Sequence, residues 1–312
     1  MKIRKEAYNI FWYFASERQN IFYNKIEGKS ILTEDKILST YKFCNAYRIL
    51  DRVSQYLLKN VIYNGKKYSD RDMIYRIILF KIFNKEDTWE YLEKNLGDIN
   101  LDSFNYYIMD KLLQDYRKNG NIIYNDAYIS CANKAFGYDL KHQNHLALID
   151  KMFNEDKIDE KIINSNSFEE VFNILKNYPL IGDFMAYQLA TDINYSEVID
   201  FSEDSFTIPG PGAIRGIKKC FEDIENMSYS DVIKYMYDNQ EKEFERLGLN
   251  FRYLKNRKLQ LIDIQNLFCE TDKYLREKMP ELKTNRTRIK KRYMSKKTKI
   301  EYVFPPKWNM SL

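Results

Sequence analysis

The sequence is poor in glycine, proline and cysteine, and each shortage narrows the class of protein. It has ten glycines and six prolines in 312 residues, and its long amphipathic runs of Lys, Glu, Leu and Ile favour an all-α fold. The four cysteines lie far apart in different segments, a spacing that fits neither a zinc site nor an iron–sulfur site. A reduced, cytoplasmic protein is therefore expected. These cysteines are Cys44, Cys131, Cys220 and Cys269.

Long apolar runs and nucleotide-binding motifs are also missing. The apolar stretch 10–15 is short and lies between Glu6 and Glu17, so we expect neither a signal peptide nor a membrane span. The absence of a Walker A motif, a dinucleotide glycine fingerprint and a kinase motif set disfavours a nucleotide-driven enzyme. We expect no cofactor and no metal, because the pair His142 and His145 has no suitable third ligand nearby.

The net charge of +5 is unevenly distributed. Residues 283–299 contain nine Lys and Arg residues and no acid, so the rest of the chain is mildly acidic. This segment is either a solvated tail or, as the interpretation we prefer, a segment that follows DNA phosphates. The predicted domains are a helical lobe at 1–115, a second lobe at 116–282 and a basic C-terminal tail at 283–312.

Residues 177–221 are the most specific stretch, because they place two glycine turns before two helices. Ser167 can cap a helix that Pro179 stops, and Gly182 opens the next one. This pattern predicts a helix-hairpin-helix. The unpaired N–H groups that follow Gly182 are suited to hold a DNA phosphate without reading base sequence.

The second glycine turn is also predicted to bind a DNA phosphate. Gly210 and Gly212 flank a proline and lead into a helix that carries Arg215, Lys218 and Lys219, so amides and cations can converge on another phosphate. Glycine-rich helix starts also occur in many helical proteins, and a purely structural role stays open at this point.

Acidic and amide side chains near these turns are the candidates for chemistry. Asp192, Asp200, Glu203 and Asp204 lie between the turns, where carboxylates would repel DNA if they served only for binding. Gln188 lies on the hairpin helix. A later helix carries Gln265, Asn266 and Glu270, and it either lines a pocket or is an ordinary amphipathic helix.

A polar stripe is predicted on an early helix over residues 37–58, where polar side chains recur at spacings of three and four. Surface salt bridges are one explanation for the stripe. Contacts from Arg48 and Arg52 to DNA are the other. The stripe comprises Asn45, Arg48, Asp51, Arg52 and Gln55.

Three segments taken together resemble a known family: NAYRILDRVSQYL with FKIFNKEDTWEYL, LIGDFMAYQLATDINYS with GPGAIRGI, and LQLIDIQNLFCETDKY. They resemble the helical domain of phage 5-hydroxymethyluracil DNA kinases and of α-glutamyl/putrescinyl thymine pyrophosphorylases. The resemblance spans residues 10–280 and implies a two-lobed helix-hairpin-helix DNA glycosylase-like fold. Because no P-loop is present, the chain is not expected to be the kinase.

The resemblance implies two enzyme activities. The first, which we prefer on the sequence alone, is a monofunctional DNA glycosylase that flips and excises a hypermodified pyrimidine, such as glucosylated hydroxymethylcytosine, in anti-phage defence. The second is a transferase that adds an amino acid or a polyamine to pyrophosphorylated 5-hydroxymethyluracil in DNA. A DNA-binding module without catalysis is the third reading.

In the glycosylase reading, a carboxylate stabilises the oxocarbenium-like sugar. The family's catalytic Asp follows the hairpin glycine by about twenty residues, and this count from Gly182 reaches Ser202, with Asp200 and Asp204 on either side. We assign that role first to Asp204 and then to Asp192. We expect four further side chains to recognise the flipped base or its added group: Gln188, Gln265, Asn266 and Glu270. The expected partner is double-stranded DNA with modified pyrimidines, bound by a monomer.

Overall fold

The computed structural model describes residues 1–126, 131–255, 257–282, 284–289, 291–294 and 300–312. Helices predominate in these residues, and strands are limited to one two-stranded antiparallel sheet, which confirms the predicted all-α class. Among the same residues, no helix has both the length and the apolar character needed to cross a membrane.

The α-helices in the described part of the chain range from 5 to 22 residues in length. The α-helices are α1 (Lys5–Ile26), α2 (Lys36–Thr40), α3 (Arg52–Tyr56), α4 (Asp70–Phe83), α5 (Glu86–Leu96), α6 (Tyr106–Lys118), α7 (Lys141–Asp150), α8 (Ile158–Ile163), α9 (Phe168–Lys176), α10 (Asp183–Asn194), α11 (Pro211–Cys220), α12 (Tyr229–Arg246) and α13 (Leu261–Lys278). Strands β1 (Lys2–Ile3) and β2 (Phe221–Asp223) pair with each other. Short 3₁₀ segments are Arg48–Leu50, Leu101–Ser103 and Pro306–Trp308, and π-helical segments are Leu57–Ile62 and Lys151–Glu155.

The chain forms two compact units. The first contains Met1–Asp51, Phe206–Tyr302 and Leu312, and the second contains Arg52–Ser205 and Val303–Ser311. The sequence analysis expected three consecutive domains, and these two units group the residues differently. Whether the three expected segments fold independently stays a prediction.

The core of the first unit forms around an aromatic face of α1. The ring of Phe11 lies 4.5 Å from that of Phe268 on α13, and the ring of Trp12 lies 5.1 Å from that of Phe244 on α12. Phe14 adds an edge contact to Tyr274, with ring centroids 5.6 Å apart. These buried rings join both ends of the first unit's sequence into one core.

Helices α11 and α13 approach each other at backbone distance, which two glycines make possible. A Cβ atom placed on Gly216 would lie 2.1 Å from the carbonyl oxygen of Phe268, and one on Gly212 would lie 2.3 Å from Sγ of Cys269. The two glycines are four residues apart and therefore share one face of α11. The sequence analysis linked Gly212 only to DNA, and it missed this packing function.

The second unit is built around α4, whose residues from Ile74 to Phe83 are all buried. Its Arg76 is fully buried, and Nε donates to the carbonyl oxygen of Val61 at 2.9 Å. The guanidinium also lies 5.1 Å from the centre of the Trp89 ring. Carbonyl acceptors and aromatic faces thus stabilise this buried charge in place of water.

The predicted hairpin is present in the second unit as α9 and α10. Ser167 caps α9 by accepting a hydrogen bond from the N–H of Glu170, as the sequence indicated, and Gly182 is the N-cap of α10. The connection includes Leu180 with φ of 68°, in the left-handed region that disfavours residues other than glycine. Its buried side chain stabilises this turn.

The predicted continuous helix over residues 37–58 is wrong. Between α2 and α3 the chain is extended apart from one 3₁₀ turn, so the polar stripe does not exist as one helical face. Asn45 explains the break, because its Nδ2 donates to the carbonyl oxygen of Leu50 and its N–H donates to Asp51. Such side-chain bonds replace the helical ladder.

The close contact between α11 and α13 gives a first prediction. We expect Gly216→Ala to lower the free energy of unfolding by about 3 kcal/mol, because backbone atoms of α13 must move to admit the methyl group. Urea unfolding followed by circular dichroism measures this. Gly182→Ala is the control, since nothing lies within 4 Å of a Cβ there, and a change within about 1 kcal/mol is expected. An equal loss in both variants would contradict the packing argument.

Candidate functional site

A buried carboxylate on α13 organises the charged side chains of α11. Asp272 is fully buried, and its Oδ2 lies 3.0 Å from Nε of Arg215 and 2.5 Å from a terminal nitrogen of Arg276. Its Oδ1 lies 3.1 Å from Nζ of Lys219. We call these four residues the Asp272 cluster. It holds three cations against one anion and therefore carries excess positive charge.

Electrostatics inside the cluster favour the ionised acid. Burial raises the pKa of Asp272, but Arg276, Lys219 and Arg215 together outweigh burial, and the pKa lies below its ordinary value. Each of these side chains is at most slightly exposed, so water screens their mutual attraction poorly. The lowered pKa of Asp272 favours its ionised form at neutral pH.

The glycine turn before α11 is held by α13. The N–H of Gly210 donates to Oε1 of Gln265 at 3.3 Å, and Nε2 of Gln265 donates to Oδ1 of Asn266 at 2.8 Å. Gln265 is buried and Asn266 is partly exposed. Gln265 thus fixes the position of the turn, and base recognition by these two amides stays a prediction.

A second polar group surrounds Glu270, also on α13. Oε2 of Glu270 accepts from the N–H of Cys44 at 3.0 Å, and Oε1 lies 2.5 Å from Nζ of Lys273. Arg18 on α1 donates to the carbonyl oxygen of Cys44 at 2.9 Å and to Oδ1 of Asn45 at 3.0 Å. The Glu270 cluster comprises Arg18, Asn45, Asp51, Glu270 and Lys273.

Asp51 is the titratable member of the Glu270 cluster near neutral pH. Its Oδ1 accepts from the N–H of Asn45 at 2.8 Å. Burial is the main cause that raises the pKa of Asp51 to about 6, and the charge of Glu270 adds to it, while Asn45 and Arg18 oppose the shift. A carboxyl with such a pKa exchanges a proton readily near pH 7, which is the property of a general base.

The two candidate catalytic acids lie in the second unit. Asp192 on α10 is fully buried and forms an ion pair with Lys81 on α4, with 2.9 Å between Oδ2 and Nζ. Gln188, one turn earlier, is also fully buried. Asp204 is exposed, and the hydroxyl of Ser202 donates to it. Asp192 and Asp204 thus have opposite environments.

The residues predicted to bind DNA also differ in exposure. Gly182 is exposed, and Asp183, which follows it, pairs with Lys176 at 2.7 Å. A carboxylate in the first turn of α10 complements the helix dipole. Arg52 is partly exposed at the start of α3, whereas Arg48 is buried and its N–H donates to Asp263 at 2.7 Å. DNA contacts from these residues stay a prediction.

The three cations predicted on α11 divide into two groups. Lys218 is exposed, whereas Lys219 is buried and Arg215 largely so in the Asp272 cluster. Five lysines of the predicted basic tail lie outside the described residues: Lys283, Lys290, Lys296, Lys297 and Lys299.

Sequence reasoning missed the Glu270 cluster as a unit. It treated Asp51 as a surface ion-pair partner and gave Arg18 no function. The available signal was the presence of Asn45 and Asp51, because Asn and Asp side chains bond to nearby backbone groups in competition with a helix. The contact of that loop with α13 spans more than 200 residues and has no local signature.

Comparison with known proteins gives one consistent result. The profile of the family described as the helical domain of 5-hmdU DNA kinase matches residues 5–284. The chain is 30% identical over 282 residues to the 5-hmdU DNA kinase of Bacillus phage SP10, a match that covers 83% of this chain and 43% of that relative. The chain thus spans less than half the length of this relative. No solved structure matches.

The comparison confirms the predicted resemblance and corrects the predicted reaction. The related protein is named for a kinase reaction on DNA, which is a group transfer, so the expected hydrolytic N-glycosylase with base excision is wrong. The transferase alternative agrees better with this finding. Asp204 and Asp192 were assigned to stabilise the oxocarbenium-like sugar. This assignment is wrong as well, because it depended on the glycosylase reaction. Any function of these acids in another reaction stays a prediction.

The Asp272 cluster gives a second prediction. We expect Asp272→Asn to lower the free energy of unfolding at pH 7 by about 3–5 kcal/mol, because three buried cations lose their anion. Since the pKa of Asp272 is depressed in the fold, its contribution is present above its ordinary pKa and is lost as the pH falls through the folded pKa.

Thermal unfolding at pH 7 and at progressively lower pH measures both effects. The difference between wild type and variant should shrink on acidification. Asp238→Asn, an exposed acid on α12, is the matched control and should change little at any pH. A pH-independent difference for Asp272→Asn would show that its charge is not the cause.

Proposed function

Because this chain belongs to the family of the helical domain of 5-hmdU DNA kinase, we propose that it binds DNA containing 5-hydroxymethyl-deoxyuridine and serves group transfer at the 5-hydroxymethyl group. The match over residues 5–284 is the observation that carries this proposal. The chain covers only 43% of the named relative. We therefore assign to this chain the binding of the DNA and of its acceptor hydroxymethyl group, and not the whole reaction of that relative.

The Glu270 cluster supports this proposal chemically. In transfer to a hydroxyl, the hydroxymethyl oxygen attacks the donor phosphorus, an O–P bond forms, the bond to the leaving phosphate breaks and the hydroxyl proton goes to a base. Asp51 has the pKa of such a base. Arg18 and Lys273 bring positive charge to the same cluster, which suits an anionic transition state.

Amine transfer is the second candidate, and the lack of a Walker A motif favours it. In this reaction an amine nitrogen attacks the methylene carbon of a pyrophosphorylated base. A C–N bond forms, the C–O bond breaks with loss of pyrophosphate, and the amine proton goes to the carboxylate. This reaction needs no nucleotide donor.

The first test of this proposal compares two DNA duplexes that differ only in 5-hydroxymethyl-deoxyuridine or thymidine at one position. We expect tighter binding of the modified duplex in fluorescence anisotropy, because a hydroxyl that pairs with buried polar groups discriminates strongly. Nucleoside mass analysis then follows two reactions, one with ATP and one with pyrophosphorylated DNA plus an amine. A product in the first supports phosphoryl transfer, and a product in the second supports amine transfer. Equal binding of both duplexes and no product would contradict the proposal.

The second test concerns Asp51. In whichever reaction gives product, we expect Asp51→Asn to lower kcat by about 100-fold or more, because the amide cannot accept the proton. The wild-type rate should rise with pH through about 6, where Asp51 loses its proton, and this rise should vanish in the variant. Asp238→Asn serves again as the control. An unchanged pH profile would remove Asp51 from the mechanism.

A further inference from the structure

The first unit contains a cavity of about 640 Å³ next to the Asp272 cluster. Four of its lining side chains are cations, and they come from the start of the chain and from α11: Arg4, Arg215, Lys218 and Lys219. The lining also includes Glu281 and Thr284. Glu281 is the one carboxylate among the described lining residues. The cavity is large enough for a small ligand.

Among the described residues, the cations that line this cavity outnumber the carboxylates that line it or pair with them. Asp272 is the carboxylate that pairs with Arg215 and Lys219, and it is shared with Arg276. Within the described residues, Lys218 has no carboxylate partner, and its ammonium lies 5.9 Å from the ring centre of Tyr229. An anion entering the cavity would therefore meet several cations held at fixed positions.

Hydrogen-bond donors in the cavity are also available. Arg215 uses Nε for Asp272, and in the part of the chain that is described its two terminal nitrogens donate to no acceptor. One terminal nitrogen of Arg4 donates to the carbonyl oxygens of Lys218 and Lys219, at 3.2 and 2.6 Å. These two hydrogen bonds hold the Arg4 side chain against the C-terminal end of α11. Two positioned guanidinium groups are suited to tetrahedral oxyanions, which they bind in a fork geometry.

We propose that this cavity binds the phosphate groups of a ligand through Arg4, Arg215 and Lys218. The volume exceeds that of one phosphate and suits a pyrophosphate or a longer polyphosphate. A phosphodiester of DNA offers the same chemistry. The proposal does not depend on the transferase function, because inorganic pyrophosphate tests it without DNA.

The experiment is calorimetric titration of the full chain with inorganic pyrophosphate and with inorganic phosphate at low salt, beside anisotropy with an unmodified DNA duplex. We expect pyrophosphate to bind more tightly than phosphate. Lys218→Gln should weaken pyrophosphate binding about fivefold or more, and Lys218→Arg should retain it. Lys218 is exposed, so its substitution leaves the core intact. Lys242→Gln on α12 removes the same charge elsewhere and is the matched control.

The outcomes separate the two sources of phosphate. Loss of pyrophosphate binding in Lys218→Gln, with unchanged DNA affinity, identifies a free polyphosphate as the ligand. Loss of DNA affinity in the same variant, together with competition by pyrophosphate, identifies a DNA phosphate. If neither pyrophosphate nor DNA responds to Lys218→Gln more than to Lys242→Gln, the proposal is wrong. In the duplex comparison described above, equal binding of the modified and unmodified duplexes without any product contradicts the transferase proposal alone, whether or not pyrophosphate binds.

Discussion

The carboxylate of Asp272 is the interaction on which the first unit depends. It is buried between Arg215, Lys219 and Arg276, and its position follows from the close approach of α11 to α13 at Gly216. Arg215 and Lys219 are four residues apart and share one face of α11, so both reach the same acid. A buried ion cluster of this kind fixes the relative position of two helices more than it adds net stability. The same geometry leaves positive charge facing a cavity.

Helix α13 carries two polar centres that point in different directions. Glu270 and Asp272 are two residues apart, which places their side chains on opposite sides of a helix. On one side Asp272 binds the cations of α11. On the other side Glu270 holds the loop at Cys44, and with it Asn45 and Asp51. One helix therefore positions both the candidate proton acceptor and the wall of the cationic cavity.

Local patterns predicted the helical class, the hairpin of α9 and α10 and its cap at Ser167, because these depend on residues close in sequence. The break at Asn45 was missed, since apolar periodicity continues through it while side-chain bonds to the backbone decide the conformation. The function of Gly216 and the pairing of Arg215 were missed because both depend on α13, which lies more than 40 residues later. The family was recognised from three segments, but a shared fold does not specify a reaction, and the comparison corrected that step.

The order in which the two units can form during synthesis follows from their composition. Residues 52–205 lie between the two main segments of the first unit, so the aromatic face of α1 is translated long before α13 exists to cover it. At about 5–20 residues per second, synthesis of the roughly 250 residues from Phe14 to Phe268 takes about 12 to 50 seconds. The folded protein buries the rings of Phe11, Trp12 and Phe14, and before α13 exists they are uncovered. Transiently exposed apolar surface of this kind favours aggregation and chaperone binding. The yield of folded protein in a cell should therefore depend on translation speed and chaperone supply, and not only on equilibrium stability.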